Sequence, residues 1–283
     1  MIIDNFLQMK TYLPAITIKA DITALDDMKN IAEQELVDEI LSEELYQLIL
    51  QDRTEHKTLA IQCERIISLN AFLKVIPDLD LVLTQSGFAV HSSESMSPAS
   101  TARVKGLTIS IQERVDNATD TLIRYLISSN KYEDIWRSSS QFSNITAGII
   151  STYTEFKEHA QYSPAVATVY PKNYSEFKKM YANFSMAIIG EIAPYLSADY
   201  CSELIEKVRD KELLTLHEKY VLSLIKYAIC AISMNDVATG RSYVIKARAY
   251  MLRSPIDFPT FMASDEAKAL DSTDNDGPIY SML

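Results

Sequence analysis

The sequence predicts a mainly α-helical fold, a helical bundle with an inserted β-hairpin. Apolar residues recur at helical spacing over most of the chain, and a hydrophobic content of 47% is ample for a core. Only six glycines occur in 283 residues, which argues against a sandwich, a barrel or a glycine-rich nucleotide loop. A chain of this length forms one large domain or two.

Two helices are predicted first. Thr23 caps a helix that reaches about Leu50, and a second helix covers 55–76 and ends at Pro77. Asn70 lies on the apolar stripe of the second helix. It is either a buried hydrogen-bonding group, which we favour, or a sign that the stripe is partly wet.

The outer face of the first helix, from Asp26 to Glu44, is acidic. Ten acidic against three basic residues between positions 1 and 50 give a local net charge of −7. This face is either solvated or in contact with a basic neighbour.

The β-hairpin is predicted over residues 79–92. Leucines alternate with other residues on the outgoing strand, Gln85-Ser86-Gly87 forms the turn, and Phe88 and Val90 lie on the return strand. Because an isolated two-stranded hairpin is marginally stable in water, it needs a surface to lie on.

A third helix begins at Pro98 and reaches about Ser129. A break over 130–140 contains the single tryptophan, Trp136. A fourth helix is predicted over 143–159, and a short strand follows over 165–170.

The second half is predicted to hold four more helices. One covers 174–193 and stops at Pro194, and Ser197 caps a short helix through Val208. The helix over 212–234 is apolar almost all round, which is typical of a central, buried helix.

The last predicted helix, 242–252, lies in a basic segment. Arg241, Lys246, Arg248 and Arg253 occur there with no acidic residue between them. We consider this segment the basic counterpart of the acidic first helix.

The end of the chain changes character. Residues 271–277 read as a flexible acidic linker, and 278–283 as a short apolar strand that contains Ile279 and Tyr280. A tail that docks onto a neighbour is the interpretation we favour, and a frayed end is the alternative.

The two halves also resemble each other. Leu36-Val37 corresponds to Ile188-Ile189, and Leu41-Ser42 corresponds to Leu196-Ser197. One helical unit used twice is the physical interpretation, with chance similarity between amphipathic helices as the alternative. The predicted units are 1–135, with the hairpin, and 136–283, with the tail.

Composition predicts little chemistry. The net charge of −11 argues against broad nucleic-acid binding, and three cysteines without metal or redox spacing predict reduced, buried thiols. No signal peptide, membrane helix, catalytic motif or metal motif is recognised, so we predict no catalytic residue, metal or cofactor. His217-Glu218 is the best acid–base candidate, but neighbouring helix residues point apart.

Several motifs of the first third resemble tailed-phage head–tail connector proteins, also called neck or head-completion adaptors. These motifs are Tyr12-Leu13-Pro14, Leu25, Ala32-Glu33-x-Glu35-Leu36 and Leu41-Ser42-x-Glu44-Leu45. The segment 76–100 is similar to a stretch that recurs in phage and prophage proteins of Bacteroides-type bacteria. Together they cover about the first 125 residues.

The resemblance implies a structural virion protein and not an enzyme. Such a subunit forms a ring beneath the portal, joins capsid to tail, and lines or seals the DNA channel. The implied partners are further copies of the chain, with a dodecamer as one ring size, the portal protein, and other neck or tail proteins. DNA passes without sequence recognition, and no membrane is involved.

Interfaces are predicted in the hairpin, the basic segment and the tail. The assigned residues are Leu81, Leu83, Gln85, Ser86, Gly87, Phe88, Val90, Arg241, Lys246, Arg248, Arg253, Ile279 and Tyr280. The alternative function is a helical adaptor or regulatory protein that forms a small oligomer with a soluble partner. An enzyme is the third alternative, because catalytic groups can assemble from residues that are distant in the sequence.

Overall fold

The computed structural model describes residues 1–4, 6–13, 23–78, 81–84, 87–90, 100–161 and 170–269. Backbone contacts divide the chain into two units, Met1–Ser143 and Asn144–Leu283. The sequence predicted the division at 135/136, whereas the contacts also group residues 136–143 with the first unit. The predicted mainly helical fold is confirmed over the described residues.

One long helix is central to the first unit, and the last helix of the unit crosses the division at 143/144. The bounds of the helices are α1 Phe6–Lys10, α2 Thr23–Leu36, α3 Glu43–Gln51, α4 Lys57–Val75, α5 Thr101–Ser128, α6 Glu133–Arg137 and α7 Ser140–Thr146. Both α2 and α5 pack against α4, and α4 is buried on more than one side, as Leu59, Ile67 and Leu69 show. The predicted helix over 55–76 is therefore confirmed.

Buried polar groups fix the amino-terminal segment on this bundle. The Ile2 amide donates to Glu33 Oε1 at 2.5 Å, and Tyr12 Oη donates to Glu64 Oε2 at 2.7 Å. Arg53 pairs with the second oxygen of Glu64. Because a buried carboxylate needs partners for its charge, these contacts hold the two acidic side chains in place.

Two short strands lie between α4 and α5. Leu81–Thr84 pairs antiparallel with Gly87–Val90, with Leu81 opposite Val90 and Thr84 opposite Gly87. The turn residues Gln85 and Ser86 lie outside the described residues.

Helices in the second unit pack around a helical pair. Their bounds are α8 Tyr153–Ala160, α9 Tyr174–Phe177, α10 Tyr181–Ala187, α11 Ala193–Leu196, α12 Ala198–Arg209, α13 Leu216–Ser233, α14 Val237–Arg253, α15 Pro259–Ala263 and α16 Asp265–Lys268. The pair is α13 with α14, and both α8 and α10 also pack against α13.

An aromatic cluster and two close glycines hold the second unit together. The rings of Phe156, Phe177 and Phe184 lie with centroids 5.6 to 5.9 Å apart and are buried. Gly148 lies so close to Phe184 that an added Cβ would sit 2.2 Å from its Cβ. Gly240 of α14 lies equally close to Ile232 of α13. The core thus depends on the absence of a side chain at both positions.

The same backbone joint occurs once in each unit. A π-helical turn, Val37–Leu41 or Ile188–Ile192, leads to a buried serine with positive φ. Ser42 has φ 78° and ψ 156°, and Ser197 has φ 69° and ψ 147°. Each serine hydroxyl then caps the next helix by accepting from the amide three residues later.

This joint corrects the predicted first helix. The sequence predicted one helix to about Leu50, but the chain ends α2 with the π-helical turn and starts α3 in a new direction at Ser42. A serine in this φ/ψ region is strained and cannot continue a helix. In the second unit, Ser197 caps a helix as predicted.

Further helix boundaries were wrong. The predicted break over 130–140 contains α6, α13 begins at Leu216 and not at 212, and α14 begins at Val237 and not at 242. The predicted helix over 143–159 is split, because Ile149 has φ 65° and Thr152 caps a new helix, α8. Pro194 does not stop its helix: it sits in the first turn of α11, where a missing amide hydrogen costs nothing. The predicted strand 165–170 lies outside the described residues except for Tyr170, which is not in a strand, and the tail 270–283 lies outside them entirely.

We expect Ser42→Ala to lower the free energy of unfolding by about 1–2 kcal/mol, because the cap is lost while the strained φ remains. Ser42→Gly also loses the cap but relieves the strain, so it should be at least about 1 kcal/mol more stable than Ser42→Ala. The same order is expected for Ser197. Urea unfolding tests it, with the fluorescence of the single tryptophan, Trp136, reporting the first unit. Glycine variants less stable than the alanine variants would contradict the strain argument.

We expect Gly240→Ala to destabilise the protein by about 1–3 kcal/mol, because overpacking outweighs the gain in helix propensity. Its Cβ would lie 2.4 Å from Ile232 Cγ1. Gly190→Ala is the matched control, since nothing lies within 4 Å of an added Cβ there. The control should be neutral or more stable by up to about 1 kcal/mol in thermal unfolding. Equal effects at the two positions would show that the close approach is not limiting.

Candidate functional site

Exposed apolar side chains cluster where α13 begins and α14 ends. Leu213, Leu216 and Ile256 are 92%, 81% and 92% exposed, and Tyr220 is 49% exposed. The rings of Tyr220 and Tyr250 contact each other at an angle of 54°, with their centroids 4.6 Å apart. We call these five residues the apolar patch. Scattered exposed leucines are ordinary, but apolar and aromatic residues grouped in this way are typical of binding surfaces.

Polar contacts hold the two sides of the patch together. His217 Nδ1 lies 2.8 Å from Tyr250 Oη and 3.8 Å from Asp257 Oδ2. His217 follows Leu216 on α13, and Asp257 follows Ile256 after α14. These contacts bring the helix start that carries Leu216 close to the segment that carries Ile256.

The start of α13 is fixed by a capping box. The Thr215 hydroxyl accepts from the Glu218 amide at 3.1 Å, and Glu218 Oε2 accepts from the Thr215 amide at 2.8 Å. Lys207 of α12 bridges Glu218 Oε1 at 2.8 Å and Glu203 Oε1 at 2.5 Å. The patch thus lies on an anchored helix end.

The pKa values of this triad show how it is held. Burial tends to raise the pKa of Glu218, but hydrogen bonds from Lys207 and Thr215 outweigh burial and keep this pKa below its usual value. Burial is also the largest single influence on the pKa of Glu203, but the hydrogen bonds from Lys207 and Thr260 and the charge of Lys207 together outweigh it, so this pKa is lowered as well. Hydrogen bonds to the two carboxylates raise the pKa of Lys207. All three groups are therefore charged at neutral pH.

Sequence reasoning missed this patch. The helix over 212–234 was predicted to be buried all round, and that is wrong for its first turns, where Leu213, Leu216 and Tyr220 are exposed. Further along, Val221, Ile225 and Ile229 are buried as predicted. The available signal was the charge around the first turns, Lys211-Glu212 before and Glu218-Lys219 after, which a buried helix would avoid.

The His217-Glu218 acid–base candidate does not form a pair. His217 contacts Tyr250, whereas Glu218 contacts Lys207. The two side chains point apart, as adjacent helical residues do. Chemically the arrangement offers an apolar and aromatic contact surface with a polar edge.

Some side chains of the predicted basic segment have partners within the second unit. Arg241 pairs with Glu191 at 2.8 Å, and the half-buried Arg248 donates to the Glu266 carbonyl. Lys246 lies 5.1 Å from the ring centroid of Tyr243. Arg253 is exposed.

The remaining predicted interface residues are described only in part. The backbone of Leu81, Leu83, Gly87, Phe88 and Val90 is in the paired strands. Gln85, Ser86, Ile279 and Tyr280 lie outside the described residues.

Some side chains of the acidic face also have partners within their own unit. Glu33 is buried against Ile2, and Glu35 binds both Lys74 at 2.7 Å and Asn70 at 3.1 Å. The interpretation of Asn70 as a hydrogen-bonding group is confirmed, although it is only half-buried. The face is therefore less available to a basic neighbour than its charge count suggests.

The three cysteines are free thiols and buried, as expected. Burial raises the pKa of Cys201 to about 12 and also raises the pKa values of Cys63 and Cys230, which keeps all three thiols protonated at neutral pH. In the described part of the chain, His, Cys, Asp and Glu side chains form no group able to hold a metal ion. None of the described helices combines the length and apolar character needed to cross a membrane.

Comparison with known proteins adds one match. Residues 28–144 are similar to a family of unknown function, DUF6712. The match begins in α2 and ends within one residue of the division between the units, which supports the first unit as a separate module. Neither the curated proteins nor the solved structures gave a significant match.

We expect Lys207→Met to destabilise the second unit at pH 7 but much less near pH 3.5. Lowered glutamate pKa values stabilise the fold above the unfolded pKa of about 4.3, and this contribution is lost as pH falls through the folded values. Urea unfolding followed by circular dichroism at both pH values checks this. Lys219→Met, at an exposed lysine nearby, is the control and should have little effect. A deficit for Lys207→Met that is equal at both pH values would count against the charged triad.

Proposed function

We propose that the protein is a structural assembly subunit of a phage neck, a head–tail connector located in the virion. The observation that carries the assembly role is the apolar patch, which exposes three large aliphatic side chains and the two contacting tyrosines Tyr220 and Tyr250. The connector role rests on the resemblance within the first 125 residues. The protein would join capsid to tail beneath the portal and line or seal the DNA channel.

The composition of the patch suits a protein partner. Tyrosine is enriched in the centres of protein interfaces, where an apolar ring and a polar hydroxyl are both useful. Leu213, Leu216 and Ile256 supply apolar area that water currently covers. The Lys207 bridge and the capping box order the patch in advance, which lowers the entropy cost of binding.

The strand pair is the second proposed contact. Each strand pairs with only one partner in the described part of the chain, so each has an edge that a neighbouring chain could extend. We propose that residues 79–92 face the portal, the channel or the next subunit. The tail residues Ile279 and Tyr280 would dock in the same manner on a neighbour.

A duplicated helical unit would explain the length of the chain. Each unit has a π-helical turn, a positive-φ serine cap and a pair of packed helices, α4 with α5 or α13 with α14. Positive-φ serines are uncommon, so their occurrence at positions already aligned by sequence supports duplication over chance. The strand pair lies in the connection between α4 and α5. The corresponding connection in the second unit, between α13 and α14, is a short turn.

A helical adaptor or regulator is the second candidate. The same apolar patch favours it, since the patch would equally suit a small oligomer with another protein. The two functions differ in stoichiometry: a connector forms a closed ring or assembles on the portal, whereas an adaptor forms a dimer or a small complex.

The first experiment is the solution mass of the purified chain by light scattering, alone and after mixing with portal protein. The monomer mass is 31.9 kDa. A ring, or co-elution with the portal protein, supports the connector. A small oligomer that does not bind the portal protein supports the adaptor, and a monomer that does not bind it contradicts the connector.

We expect the triple variant Leu213→Ser, Leu216→Ser and Ile256→Ser to lower the assembled mass towards the monomer, because it removes apolar area from the proposed contact. Light scattering over a range of protein concentrations measures this. Leu7→Ser with Ile109→Ser is the control, since these residues are 75% and 51% exposed but lie in the first unit. Unchanged mass in the triple variant would exclude the patch as the assembly surface.

A further inference from the structure

A small cavity in the first unit is lined by two arginines. It measures about 330 Å³ and lies where the segment after α1 meets α4 and α5. Arg65 of α4 and Arg114 of α5 line it, with the side chains of Asn117 and Thr121 beside them. The apolar floor is formed by Leu69 and Ala118.

The charge of this cavity is opposite to that of the protein. The chain carries a net charge of −11, yet no carboxylate lines the cavity within the described part of the chain. Arg65 and Arg114 are exposed, and neither has an ion pair among the described residues. Two guanidinium groups that face one cavity repel each other unless an anion lies between them.

The neighbouring tyrosine does not supply that anion. Burial, together with the hydrogen bond to Glu64, raises the pKa of Tyr12 to about 12, so its hydroxyl is neutral. Glu64 is committed to Tyr12 and Arg53. The charge of the two cavity arginines is therefore not neutralised by the groups that the structure places around them.

We propose that this cavity is a binding site for a phosphate group, either free or as the monoester of a small organic molecule. Guanidinium groups match the oxygens of phosphate through paired hydrogen bonds, and the amide of Asn117 offers a further donor. The volume is at the lower end of the range of about 300–1,000 Å³ seen for small-ligand pockets. The site does not depend on the proposed assembly role.

The test is a titration with inorganic phosphate and, separately, with ribose 5-phosphate at constant ionic strength set by chloride. Shifts of the arginine Nε–Hε signals in NMR spectra report binding. We expect saturable shifts for the wild type, and affinity about a hundredfold weaker in the double variant Arg65→Gln, Arg114→Gln. Tighter binding of ribose 5-phosphate than of phosphate identifies the monoester as the ligand, and equal binding identifies the free anion.

Arg103→Gln with Lys105→Gln is the matched control, because this variant also removes two positive charges, but from exposed positions of α5 outside the cavity. It should leave both titrations unchanged. Equal weakening in the control and in the cavity variant would reduce the effect to overall charge and overturn the proposal. Absence of saturable shifts with either probe in the wild type would also overturn it. Circular dichroism establishes that both variants are folded.

Discussion

The architecture of each unit depends on one strained serine. Ser42 and Ser197 adopt positive φ where glycine is the usual residue, and both are buried. The serine ends one helix and its hydroxyl starts the next, so the chain changes direction without a loop. In both units the helix that this serine caps is followed by the long helix of the unit, α4 in the first and α13 in the second.

Ending a helix inside a protein leaves carbonyl groups without intrahelical partners. In the first unit, side chains from the next elements satisfy them: Trp136 Nε1 donates to the Ile40 carbonyl at 2.7 Å, and Gln141 Nε2 donates to the Asp38 carbonyl at 3.1 Å. In the second unit, the helix instead continues through Pro194 for one more turn before Ser197. The two solutions explain why the sequence match between the halves needs an insertion at this point, and why the first unit includes residues beyond the predicted boundary at 135/136.

The sequence was sufficient for most helices but not for the joints. The helical periodicity of apolar residues was sufficient to locate α4, α5 and α14, because each of these helices has an apolar stripe that packs against a neighbour. It could not detect the break at Ser42, where neither glycine nor proline marks the positive φ, whereas at Ile149 the preceding Gly148 was an available signal. The sequence did not reveal the apolar patch for a related reason. Apolar residues at helical spacing predict a buried face, and only the tertiary structure shows that no other side chains cover Leu213 and Leu216.

The two units carry different kinds of surface. The first has the paired strands and a cavity with uncompensated positive charge, whereas the second has the apolar patch on an anchored helix end. In the second unit, part of the predicted basic segment is not free for a partner protein, because Arg241 and Arg248 have partners in their own unit. Exposed ion pairs contribute little to association, whereas desolvated apolar and aromatic groups contribute most of it. If the chain assembles, the free energy should therefore come from the patch, and the charges on α14 should mainly influence the rate and the orientation of encounter.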